Sequence, residues 1–139
     1  MLNYPALFSP DEHGGYVVTF RDVPEALTQA DTLQQAREMA ADALATAMEF
    51  YIEDRRPAPM PSRARAGEEL VSLPVVVGAK MALLGLMAAE RVRPADLARA
   101  MGVQPQIVTR LLDCRHKSDI QTVARAFSAL GRRLEISVV

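Results

Sequence analysis

The sequence predicts an α+β chain: a small antiparallel sheet with one covering helix, then an all-α helix-turn-helix domain ending in a short β-strand. Three observations predict it. Apolar residues recur with period two before residue 31, interrupted by turn formers. A helical apolar stripe follows between residues 33 and 51. Residues 94–113 then carry the small, apolar and polar spacing of a DNA-reading helix-turn-helix. The boundary between the two domains is placed at Pro74, giving residues 1–74 and 75–139.

In the first domain, Leu2, Tyr4, Ala6 and Phe8 alternate with Asn3, Pro5, Leu7 and Ser9, a strand pattern. The turn-forming run SPDEHGG separates it from the β-branched and aromatic run YVVTF, so the two make a hairpin with a long loop. Arg21-Asp22-Val23-Pro24 breaks the second strand, and Ala26–Ala30 supplies a short third. Thr32 and Gln35 form a capping-box pattern that starts a helix. Its stripe runs through residues 33, 36, 40, 43, 44, 47, 48 and 51 and fades near Asp54. Alanine dominates that stripe and lets the helix lie close to a sheet. Pro57, Pro59 and Pro61 open an extended segment to Gly67. Its arginines, Arg55, Arg56, Arg63 and Arg65, are expected to be flexible and solvated rather than bound to phosphate. Glu68–Leu73 returns as a strand that Pro74 ends.

In the second domain, Lys80–Arg91 reads as an amphipathic helix through Met81, Leu84, Met87 and Ala88. Within PADLARAMGVQPQIVTRLLD, Ala98 is the fifth residue, Gly102 the ninth, Val108 the fifteenth and Leu111 the eighteenth. Alanine lets two helices cross closely, and glycine tolerates the positive φ common where a chain leaves a helix. Leu97, Met101, Val103, Val108 and Leu111 form the apolar wedge. Gln104, Gln106, Thr109 and Arg110 point outward, with side chains suited to base edges or phosphates. Arg115, His116 and Lys117 suit phosphate contacts, or equally a basic helix end that satisfies the macrodipole. An ordinary helical hairpin with a glycine cap is the plain alternative to the whole motif. Ile120–Leu130 forms another helix, with Ile120, Val123, Ala124, Phe127 and Leu130 facing inward, and Gly131 stops it. The terminal RRLEISVV alternates as a strand, and a lone strand needs a partner. Pairing with a second copy gives a two-fold dimer with recognition helices about 34–36 Å apart; addition to the amino-terminal sheet is the alternative.

Charge sharpens the division. The net charge of −1 conceals six arginines against twelve Asp/Glu in residues 1–73, and ten Arg/Lys against five Asp/Glu in residues 74–139. A basic second half suits nucleic acid; an acidic first half suits a basic protein partner or a solvated face. The single Cys114 cannot form an internal disulfide and reads as a partly buried apolar residue. With no membrane-length apolar run and no signal-peptide layout at the start, a cytoplasmic location is expected. No Cys/His cluster has metal-ligand spacing, so neither metal nor cofactor is expected. His13 and His116 read as surface histidines, and Asp11, Asp22 and Asp31 as turn chemistry and charge rather than an assembled catalytic cluster.

The segment DEHGGYVVTFRDVPEALTQADTLQQA, joined to an acidic α+β domain and a helix-turn-helix, resembles HicB antitoxins of bacterial toxin–antitoxin systems, in the helix-turn-helix subgroup. Glu25 and Ala30 stand where many members have glycine. The resemblance covers nearly the whole chain. It implies an amino-terminal domain similar to a truncated ribonuclease H fold that binds a small basic, HicA-type mRNA-cleaving toxin. It also implies a carboxyl-terminal domain that represses its own operon by binding operator DNA as a homodimer, or as a tetramer of paired dimers. On that basis Asp11 and Glu12 of the hairpin loop and Glu38, Asp42 and Glu49 of the first helix are the expected toxin contacts. No catalytic residue is expected. A metal-dependent ribonuclease using amino-terminal carboxylates and a small-molecule-sensing regulator are the competing functions.

Overall fold

The computed structural model describes residues 3–54, 56 and 58–138. Leu2, Arg55 and Pro57, named above, lie outside the described residues. The chain divides into two compact units, Met1–Pro74 and Val75–Val139.

The first unit contains β1 (Asn3–Pro10), β2 (Tyr16–Phe20), β3 (Leu27–Ala30), α1 (Leu33–Glu53) and β4 (Glu68–Ser72). The sheet order is β3-β2-β1-β4, with antiparallel pairing throughout. Alternation does the work the sequence implied: Tyr4, Ala6, Val18 and Phe20 are buried, while Leu7 and Thr19 stay exposed. From α1, Ala36, Ala40, Leu44, Ala47, Met48 and Tyr51 are buried, a spacing of three and four that keeps one face toward the sheet. The Thr32 hydroxyl accepts from the Gln35 N–H at 3.2 Å and starts the helix.

The proline-rich segment forms neither helix nor strand among its described residues and leaves Arg63 and Arg65 exposed, as expected, but it does not run free of the fold. The Tyr4 hydroxyl donates to Pro59 O at 2.7 Å, and the Asp22 carboxylate accepts from both the N–H and the hydroxyl of Ser62 at 2.8 Å. Arg21 grips Glu68 through two nitrogens, at 2.8 and 3.1 Å, and also donates to Arg63 O at 2.8 Å. Arg56 is not simply solvated either; its guanidinium lies 4.5 Å from the centre of the Tyr51 ring. A chain stretch with few backbone bonds of its own is thus held by side chains reaching from distant elements.

That strap has an acid signature. The Arg21 guanidinium, and next the Arg65 N–H, hold the Glu68 carboxyl down to about 2. A depressed folded-state value means the contribution is complete above the ordinary value of 4.5 and is lost as pH falls through about 2. Replacing Glu68 by Gln is therefore expected to lower the melting temperature of residues 1–74 at neutral pH and to flatten its decline between pH 4.5 and 2. Parallel melting curves for variant and wild type across that window would remove Glu68 from the acid response.

The second unit is helical: α2 (Val75–Glu90), α3 (Pro94–Met101), α4 (Pro105–Leu111) and α5 (Ile120–Ala129). Ala79, Leu83, Met87, Leu97, Ala98, Val108, Leu111, Val123, Ala126 and Phe127 form its core. Three expectations are corrected. Helix α2 begins at Val75 rather than Lys80, and it buries Leu83 in place of Leu84 and Ala88. Its first turns, VVVGA, are apolar all round, so no periodic contrast marks the start. In α5, Ala126 rather than Ala124 is buried with Val123 and Phe127.

The expected terminal strand does not form a ladder within the chain. Residues 132–138 are not a β-strand, and the four-stranded sheet does not include them. Leu134 packs against the helical core, while Ile136 and Val138 are exposed. Alternation supplies the side-chain pattern of a strand, but a ladder also requires a second backbone, which the helical unit lacks.

Candidate nucleic-acid and protein interfaces

Pro94 takes the first helical position of α3, and the Asp96 carboxylate accepts from the Arg93 N–H at 3.0 Å. The helix stops at Gly102, in the left-handed region at φ 68°, where the Val103 N–H bonds back to Ala98 O at 3.1 Å. Pro105 opens α4. Leu97, Ala98, Val108 and Leu111 are buried; Met101 and Val103 are half-buried. Gly102 has open space where a Cβ would stand, so conformation rather than crowding selects glycine there.

The burial of Val108 and Leu111 turns the rest of α4 outward. Gln104, Gln106, Thr109 and Arg110 are all exposed, as are Arg115, His116 and Lys117 in the turn that follows. The Thr109 hydroxyl spends its proton on Pro105 O at 3.2 Å and faces outward as an acceptor. Neither Arg110 nor Lys117 has an ion-pair partner among the described residues. Ile107, 38% exposed, joins them on the surface of α4 and was not singled out by its sequence context.

Beneath this face lies Lys80, fully buried on α2. Its ammonium donates to the carbonyl oxygens of Asp113 and His116 at 2.7 Å and of Arg110 at 3.2 Å. Burial pushes its pKa below the ordinary lysine range. The only sequence signal for it is a charge inside the apolar run VVVGAKMALLGLM. Cys114 is half-buried, its Sγ 4.0 Å from Met81 Sδ, as expected of a packed thiol.

On the first unit, arginines sort the acidic residues into two populations. Arg21, Arg37 and Arg56 pair with Asp22, Glu25, Asp54, Glu68 and Glu69. Asp11, Glu12, Asp31, Glu38 and Asp42 have no such partner among the described residues. Three of these, Asp11, Asp31 and Glu38, line a cleft of about 440 Å³ between the hairpin loop, the end of β3 and the start of α1. The loop closes on itself through Asp11 N–H to Gly15 O at 2.7 Å and Gly14 N–H to Asp11 O at 3.1 Å. Gly15 is required for the close approach: a Cβ there would stand 2.6 Å from Ala30 O.

Of the expected protein contacts, the fold therefore brings Asp11 and Glu38 to one cleft, adds the unforeseen Asp31, and leaves Asp42 exposed one turn along α1. Glu12 is exposed in the loop without lining the cleft, and Glu49 is half-buried further along α1 with interactions of its own. Among the described residues, no group of three or more His, Cys, Asp or Glu is placed to hold a metal ion. The Asp22 carboxylate is already committed to Ser62. No helix among the described residues is long and apolar enough to cross a membrane.

Residues 3–82 match the family described as HicB_like antitoxin of bacterial toxin-antitoxin system. The chain is 44% identical over 137 residues to Antitoxin HicB 1 of Photorhabdus laumondii, covering 99% of this chain and 87% of that protein. It is 38% identical over 138 residues to Antitoxin HicB of Escherichia coli K12, covering 99% and 100%. Antitoxin HicB of Pseudomonas fluorescens is also 38% identical, over 142 residues, covering 99% and 94%.

Proposed function

Because the chain belongs to the HicB-like antitoxin family of bacterial toxin–antitoxin systems, we propose that it neutralises a small, basic, RNA-cleaving HicA-type toxin and represses its own operon. It acts in the cytoplasm without catalytic chemistry of its own. Residues 1–74 hold the toxin, and residues 75–139 bind operator DNA. The observation that carries the DNA half is the two-sidedness of α4, whose Val108 and Leu111 are buried while Gln104, Gln106, Thr109 and Arg110 face solvent. Glutamine side chains pair with adenine edges, arginine with guanine or phosphate, and Arg115 and Lys117 add phosphate contacts.

Toxin capture follows from unbalanced negative charge. Asp11, Asp31, Glu38 and Asp42 leave a surface that attracts the cationic RNA-contacting face of a nuclease and excludes its substrate. Glu12 and Glu49 extend the same acidic field. Dimerisation is assigned to residues 132–138, whose alternating side chains and lack of any ladder within the chain suit pairing with the same segment of a second copy. Two such dimers joining gives a tetramer.

Co-expression with the product of the neighbouring small reading frame, followed by mass determination, tests the toxin assignment; failure to co-purify a basic protein counts against it. For DNA, Arg110→Ala is expected to weaken operator binding by about 1–3 kcal/mol while leaving the melting temperature unchanged. Undiminished affinity, measured by titration of promoter DNA at fixed salt, would take Arg110 out of the interface.

A further inference from the structure

Three protein carbonyls converge on one buried ammonium in the second unit. Arg110 lies in the last turn of α4, Asp113 one residue past its C-cap Leu112, and His116 in the turn that follows. The final carbonyls of any helix lack partners within the helix and carry the negative end of its dipole, so a cation satisfies them well. Lys80 reaches them from α2, far away in sequence, and all three of its N–H donors are used.

We propose that Lys80 is a positioning residue for DNA binding: its hold on the carbonyls of Arg110, Asp113 and His116 sets the end of the recognition helix and locks the turn that presents Arg115 and Lys117. This rests on the DNA-binding function proposed above. The same turn borders a cleft of about 190 Å³ shared by Ile107, Arg110, Lys117, Ser118 and Thr122, so its position determines how cationic side chains from α4 and from the turn are spaced. A turn already fixed in the free protein has no ordering cost at the moment of binding. Methionine at position 80 keeps the length and loses all three donors. Glutamine keeps a polar end with only two donors. Arginine carries a planar fork that does not match three converging acceptors.

The test uses the full chain as wild type, Lys80→Gln and Lys80→Met. Amide hydrogen exchange is followed at residues 113–117 and in α5, and promoter DNA is titrated at several salt concentrations. In the variants, exchange at residues 113–117 is expected to rise about tenfold or more while α5 stays protected. Affinity is expected to fall about tenfold or more, and the slope of log affinity against log salt to lose roughly two phosphate contacts. Unchanged affinity and slope in a folded variant overturn the proposal while operator binding itself stands. A merely structural lysine would lower the fraction folded without changing the slope, and that outcome also overturns it. Wild-type protein that ignores promoter DNA refutes the DNA-binding function instead, a separate result. Should both variants fail to fold, the ¹⁵N signal of the wild-type ammonium decides. Slow proton exchange, slowed further by DNA, supports the locked turn; free exchange with solvent in both states overturns it.

Discussion

On the function proposed above, replacing Leu97 by alanine is expected to unfold residues 75–139 and abolish operator binding, while residues 1–74 still capture toxin. Leu97 is fully buried within the cluster that joins α3 to α4, α5 and α2. Removing a large aliphatic side chain from such a position costs about 2–5 kcal/mol, the transfer term plus the cavity left behind. A unit of this size has little stability in reserve, so that loss consumes most of it. Neighbouring groups are poorly placed to collapse into the space, because Ala98, Val108 and Leu111 are themselves buried and committed. Two thermal transitions, or exchange rates measured separately in α5 and in β1, would distinguish the units. Retention of the α5 protection and of operator affinity in Leu97→Ala would show that the wedge does not hold the motif together.

Reversing the charge of Glu38 and Asp42 together, to lysine, is expected to slow toxin association on the order of 10- to 100-fold at low salt, with the difference shrinking as salt rises. Both side chains are exposed on α1 and make no ion pair among the described residues, so the change alters the external field without breaking an internal contact. Glu69→Lys provides the contrast, since it destroys the hydrogen-bonded pair with Arg37 at 2.9 and 3.0 Å. Stopped-flow association with purified toxin at two ionic strengths measures the effect. An association rate indifferent to the double reversal would separate toxin capture from the acidic edge of α1.

How far the sequence reaches depends on how local each cause is. The Thr32 cap, the alanine stripe of α1, the left-handed Gly102, the wedge of Leu97, Val108 and Leu111, and the outward set on α4 were all legible, because each depends on residues within a few turns of one another. The segregation of charge between the halves was legible as well, since it is a property of composition. What remained hidden either lacks a local signal or depends on groups distant along the chain. The start of α2 is one case, because an apolar helix end gives no periodic contrast. The Arg21 grip on Glu68 and the assembly of Asp31 with Asp11 and Glu38 are others. The terminal segment shows the converse: it has a strand's alternation and no ladder, because pattern is local and hydrogen bonding is mutual.

By itself, then, the sequence determined the first-unit strands, the helices in outline and the apolar faces of α1, α3 and α4, since rotamer preference, capping and periodicity act over short distances. Only the tertiary structure decided that a lysine in an apolar helix would be buried against three carbonyls up to 36 residues away, and which carboxylates would be left without an arginine. Convergence of that kind is set by how elements pack in space, and spacing along the chain does not encode it.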